Sequence, residues 1–210
     1  MKKIAVLTTV FSLTVVSTAV ADVSSAALFG GCPQAFKGFH LLGDLGYIVG
    51  VDKHRDLNAH HASHTGIRGL IGGVGTGYTH RFCNWALGLN FDAKWSNADG
   101  RIEGGTVATR LKNSLQLYGR TGYVLHEQIM PFVGLGWDNS RWRGRTRGVS
   151  STKHFNALLW KFGVDFLLTK HIVTGFEYTG TNARRRAFRS HAASYRQQMN
   201  EFGWTVKIVY

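Results

Sequence analysis

The chain has 210 residues, of which 44% are hydrophobic and 12% aromatic, and it carries a formal net charge of +13. That length allows one domain, and 26 glycines against 2 prolines suit a fold of many strands with a crowded interior. Past residue 21 no stretch reaches ~18 consecutive apolar residues, which excludes a transmembrane helix.

The chain opens with Met1-Lys2-Lys3, continues through an apolar run over residues 4–20 and reaches Ala19-Val20-Ala21. A basic start, an apolar middle and an Ala-x-Ala site read as a Sec signal peptide over residues 1–21. Its removal leaves a chain beginning at Asp22 with a net charge of +11, residues 22–36 forming a periplasmic N-terminal segment and residues 37–210 the main domain. Phe29-Gly30-Gly31-Cys32 lies too far beyond the apolar run for a lipoprotein cleavage box.

Eight alternating segments follow, each of a length that crosses a bilayer core as a tilted strand of ~9–11 residues. The first, over 38–51, sets Phe39, Leu41, Leu45, Tyr47, Val49 and Val51 on one face against His40, Asp44, Gly46 and Gly50. The second, over 67–78, is glycine-rich, with Leu70, Val74, Thr76 and Tyr78 sharing a face. The third, over 85–96, aligns Trp85, Leu87, Leu89, Phe91, Ala93 and Trp95, with tryptophan at both ends as an aromatic girdle requires. The fourth, over 110–125, directs Leu111, Leu115, Leu117, Thr121 and Tyr123 outward and Lys112, Gln116, Tyr118 and Arg120 inward. The fifth, over 130–139, groups Pro131, Val133, Leu135 and Trp137. The sixth, over 155–168, opposes Trp160, Phe162, Val164, Phe166 and Leu168 to Lys161, Gly163 and Asp165. The seventh, over 172–181, opposes Thr174, Phe176 and Tyr178 to Gly175 and Glu177. The last closes the chain with Phe202, Trp204, Val206, Ile208 and Tyr210 on one face.

Connections after the second, fourth and sixth segments are short, whereas 52–66, 97–109, 140–154 and 182–195 read as long loops. Short periplasmic turns alternating with long external loops are the plan of an outer-membrane meander. The fold class is therefore all-β: an eight-stranded antiparallel up-and-down transmembrane β-barrel. Gly38-Phe39 through Gly46-Tyr47, Gly72-Gly73 through Gly77-Tyr78, Gly119-Arg120-Thr121-Gly122-Tyr123, Pro131-Phe132-Val133-Gly134, Glu177-Tyr178 and the terminal aromatic follow in order. In this the chain resembles the small eight-stranded outer-membrane barrels of OmpA, OmpX and Opa type, often labelled porin family, which implies a cell outer membrane location. The last strand also resembles the C-terminal signal read by the outer-membrane barrel assembly machinery, with Tyr210 in place of the commoner Phe.

A barrel of this size is filled by side chains. On the facing above, Asp44, Asp92, Asp165, Glu177 and Glu201 are inner acids and Lys94, Lys112, Arg120, Lys161 and Lys207 inner bases, a near-neutral lumen network. It reads as a satisfied polar core, with a gated ion path as the alternative. Ten positive charges and no acid fall in two external segments: Arg141, Arg143, Arg145, Arg147 and Lys153 in one, Arg184, Arg185, Arg186, Arg189 and Arg196 in the other. Forked guanidinium donors suit phosphate, sulfate and carboxylate. Outer-membrane lipid and lipopolysaccharide phosphates, or sulfated host glycans, are the expected partners, and no specific nucleic acid is, because no recognition motif appears.

His54, His60, His61 and His64 in the first loop match no standard metal spacing. Cys32 and Cys83 fall at the same rim, so a disulfide and two unrelated thiols are both open. No phosphate loop, nucleophile elbow or metal-hydrolase motif appears, and His61 and Ser63 lack the flanks of a lipid A deacylase. The reading is of a non-enzymatic protein without cofactor, metal or catalytic residue, supporting the envelope and binding polyanions in an adhesin-like manner.

Overall fold

Alternating side chains carry the chain back and forth through ten strands among the described residues: β1 (Gly38–Asp56), β2 (Ala62–Phe82), β3 (Trp85–Ser96), β4 (Asp99–Arg101), β5 (Val107–Tyr123), β6 (Ile129–Thr146), β7 (Val149–Leu167), β8 (Ile172–Ala183), β9 (Arg186–Phe188) and β10 (Ala193–Val209). The computed structural model describes residues 35–56, 62–101, 107–125, 127–146, 149–183, 186–188 and 193–210. Of these, 52–56, 62–65, 101, 107–108, 145–146, 149, 186–188 and 193–196 are described by backbone alone. All pairings are antiparallel, and β1 pairs with both β2 and β10, so the sheet closes on itself and no long strand keeps a free edge. Eight strands make the ring. β4 continues the wall between β2 and β5 above the end of the shorter β3, and β9 adds to β10.

The strands run past the bounds that the apolar pattern suggested. Residues 140–154 are not a loop: β6 and β7 stay paired up to Thr146 and Val149. β1 likewise extends to Asp56, β4 lies within 97–109, and β9 with the start of β10 lies within 182–195. The reason lies in the environment of the outer face. A template that asks for apolar residues outside ends where the outside stops being hydrocarbon, although the alternation continues in Ser140, Arg141, Trp142 and Arg143, with 140 and 142 buried and 141 and 143 exposed.

Outward side chains form a continuous apolar wall. Leu89 and Leu135 expose more than 60% of their surface, an arrangement that water penalises and hydrocarbon accepts. Two polar groups on this wall find partners within it, as a lipid environment favours. Trp204 Nε1 donates to Thr174 Oγ1 at 2.7 Å, and the Tyr178 hydroxyl donates to Asn200 Oδ1 at 2.7 Å.

One strand departs from the expected facing. In β5 the register slips between Leu111 and Asn113, leaving Lys112 as the extra residue of a β-bulge. Below the bulge Ser114, Gln116, Tyr118 and Arg120 are buried; above it Leu111 and Thr109 are. The expectation that Leu111 faces out and Lys112 faces in is therefore overturned: Leu111 is buried at 1% and Lys112 is half-buried, outside the ion pairs of the lumen.

Candidate functional site: a sealed charged lumen and a basic rim

The inner faces stack in three layers. At the end where the turns are short, Phe36, Ala86, Val124, Met130, Val173 and Val209 pack into an apolar layer. At the end of the long hairpins a second one holds Ile48, Ile67, Ile71, Leu111, Trp142, Phe155 and Met199. The charged side chains lie between them.

Glycine makes room for that middle layer. Gly73, Gly75 and Gly77 lie on the inner face of β2, and a Cβ on Gly73 would stand 2.6 Å from Asp44 Oδ1. At Gly75 it would meet Asp92 and at Gly77 Asn90. The weak apolar pattern of this strand thus has a cause: its inner positions are the space into which neighbouring carboxylates and amides project.

Lys94 Nζ sits 2.6 Å from Glu201, 2.8 Å from Asp44 and 3.6 Å from Glu177. Lys161 Nζ lies 3.0 Å from Glu177 and 3.2 Å from Asp92, with the Tyr118 ring 4.3 Å below it. Asp165 takes Arg120 at 2.9 Å and Lys207 at 2.6 Å, and both cations face the Phe132 ring. Arg120 also donates to Thr79 Oγ1 at 3.0 Å. Asp44, Glu177 and Glu201 bring oxygens within 4.8 Å of one another, the spacing of a cation site. The Lys94 ammonium occupies the point on which they converge, so the trio is an ion-pair node.

Sequence reasoning left out one acid of this interior. Asp138 is buried and accepts hydrogen bonds from Ser114 and from Gln116, the latter at 3.3 Å. The parity of Trp137 was the signal that could have found it. Asp138 Oδ2, Gln116 Oε1 and the Thr179 and Thr181 hydroxyls have no protein partner. They line a cavity of about 10 Å³, room for about one water molecule.

Beyond the apolar wall on the long-hairpin side stands a belt of amides: Asn97, Asn113, Asn139, Asn156, Asn182 and Asn200 lie at or just past the last apolar outward residue of their strands. Asn139 Nδ2 donates to Asn156 Oδ1 at 2.6 Å. Next on the outer face come exposed arginines, Arg141 and Arg143 on β6; Lys153 of β7, exposed as well, pairs with Trp142 and so belongs to the other face. Arg143 donates to Ser150 Oγ at 3.4 Å. Of the other basic residues singled out, Arg145, Arg186 and Arg196 are described by backbone alone, and Arg147, Arg184, Arg185 and Arg189 lie outside the described residues.

The family model described as outer membrane protein beta-barrel domain matches residues 9–207. The chain belongs to this family. Among solved structures, the outer membrane protein OprG from Pseudomonas aeruginosa is similar at 14% identity, covering 84% of this chain and 99% of that one with a TM-score of 0.53. Neisserial surface protein A is similar at 13% identity, covering 82% and 97% with a TM-score of 0.50. No curated protein sequence matches.

In an outer-membrane barrel the short turns are periplasmic and the long hairpins external. At the short-turn end, the backbone carbonyls of Ala35 and Cys83 both accept from Arg81, at 3.3 and 2.5 Å, which draws the chain entering β1 against the β2–β3 turn. Cys83 is disulfide-bonded, and Cys32 lies outside the described residues. His60 and His61 lie outside them as well, while His54, Ser63 and His64 are described by backbone alone.

Proposed function

We propose that this outer-membrane barrel serves as a sealed structural element of the envelope and binds polyanions through its arginine-bearing external hairpins. The observation that carries the reading is the outer face of β6. It runs from Val133, Leu135 and Trp137 through Asn139 to the exposed Arg141 and Arg143, without a change of face. The wall that meets hydrocarbon thus continues directly into a cationic wall, and the ligands in reach are lipopolysaccharide phosphates or sulfated host glycans. The signal peptide over 1–21 and recognition of the closing strand by the assembly machinery account for export and insertion.

The test replaces Arg141, Arg143, Arg145 and Arg147 with glutamine in one variant and Arg184, Arg185, Arg186, Arg189 and Arg196 in another. Retention on heparin should fall for each and most for both together. Unchanged retention contradicts the polyanion reading. Lost adhesion to host cells with an intact membrane marks an adhesin, and the reverse marks envelope support.

The ion-channel alternative has less support. An ion would have to shed water to cross two apolar layers, one on each side of the paired charges. Planar-bilayer recordings should show no steps beyond those of protein-free membranes, and reproducible unitary conductance would reinstate the channel. No step of catalysis is part of the proposed function.

A further inference from the structure

The pairing of the strands places three arginines in one row on the outer wall. Arg68 of β2 stands opposite Asp99 of β4, Asp99 opposite Arg110 of β5, and Arg110 opposite Arg143 of β6. All four side chains are exposed, and Arg141 follows in the next row down, opposite Asn113. Two of these residues, Arg68 and Arg110, lie outside the arginine-rich segments.

Three observations distinguish this row from a scatter of surface charge. First, Arg110 and Arg143 are direct cross-strand partners, and like charges so placed repel. Among the described residues no carboxylate lies within 4.0 Å of Arg68, Arg110, Arg141 or Arg143. Asp99 offsets one of the four positive charges and leaves the rest open. Second, Arg110 reaches the outer face only because of the bulge at Lys112: the parity of Ser114, Gln116, Tyr118 and Arg120 would otherwise turn it inward. A bulge that re-aims a side chain beside a like charge makes sense where an anion sits between them. Third, the row borders the apolar wall. Arg68 is the next outward residue after Leu70, and Arg110 and Arg141 follow Asn113 and Asn139.

We infer that this row is a binding site for the phosphate of a phosphorylated lipid headgroup in the outer leaflet. The acyl chains would lie on the apolar wall below, while the phosphate takes guanidinium donors from Arg110 and Arg143, with Arg68 and Arg141 at its flanks. The site rests on the proposed placement of the long hairpins outside the cell, and it commits the polyanion reading to a membrane-resident ligand at this position.

The experiment uses the full barrel in detergent micelles with lipid A as the probe, bound lipid being counted by native mass spectrometry. The double variant Arg68→Gln/Arg110→Gln leaves all ten hairpin charges in place. It should bind lipid A at least tenfold more weakly than the parent while keeping its heparin retention and its heat-modifiable mobility. Arg68→Lys/Arg110→Lys should recover part of the loss. The parent should prefer lipid A to enzymatically dephosphorylated lipid A, and millimolar inorganic phosphate should not displace it. Equal lipid A binding by parent and double variant overturns the site, as does indifference to dephosphorylation or displacement by inorganic phosphate. Heparin retention reports separately on the hairpins, so its absence in the parent would contradict the proposed function without touching this result.

Discussion

Lys94 shows how one residue's environment decides its value. Its ammonium is buried and shared by Asp44, Glu177 and Glu201, so removing it strands the buried carboxylates of Asp44 and Glu201 and leaves Glu177 with Lys161 alone. Lys94→Met should lower the barrel's unfolding free energy by about 3–5 kcal/mol, the cost of breaking a buried ion pair, measured by urea titration of heat-modifiable mobility. A loss below about 1 kcal/mol, the size of a solvated surface pair, would show that water reaches the lumen. Most of this interior was legible because a period of two sorts Asp44, Asp92, Lys94, Arg120, Lys161, Asp165, Glu177, Glu201 and Lys207 onto inner faces. Lys112 and Leu111 were misplaced for a physical reason. Parity is a counting rule, and one unpaired residue resets the count.

The bulge and the long hairpins belong to the scale of elements. Deleting Lys112 removes the extra residue and leaves strict alternation in β5, with Leu111 inward and Arg110 outward as before. A cysteine introduced by Arg110→Cys should therefore react with a membrane-impermeant maleimide on intact cells both in the parent sequence and when Lys112 is deleted. Protection of that cysteine on deletion would mean that Lys112 is not the unpaired residue. The hairpin of β6 and β7 was invisible as a hairpin because its outward residues are arginines on β6 and Ser150, Thr152 and His154 on β7, and no apolar stripe marked it. At the other end, the Arg81 contacts to Ala35 and Cys83 bring the chain just past Cys32 to the turn that holds Cys83. A Cys32–Cys83 bond is the proposal that follows. The unreduced mature chain should weigh about 2 Da less than the reduced one and resist alkylation until reduced; two alkylated thiols without reduction would end it.

On the scale of the whole molecule, one continuous outer wall meets two environments. Its lower part meets hydrocarbon and its upper part meets headgroups and water, while the inner face is packed from end to end. The eight-stranded ring could be read from alternation and turn spacing alone, because burial outside and packing inside leave the same period in the sequence. Strand lengths and the short β4 and β9 could not, since they depend on partners distant in the chain. The most direct measurement is a nitroxide scan of residues 130–143 in bilayers, one spin-labelled cysteine at a time in a background carrying Cys32→Ser and Cys83→Ser. Collisions with oxygen should peak at 133, 135 and 137 and vanish at the intervening positions. At 141 and 143, on the same face, collisions with a water-soluble nickel chelate should take over. Accessibility without alternation, or an oxygen maximum persisting through 141 and 143, would contradict the account.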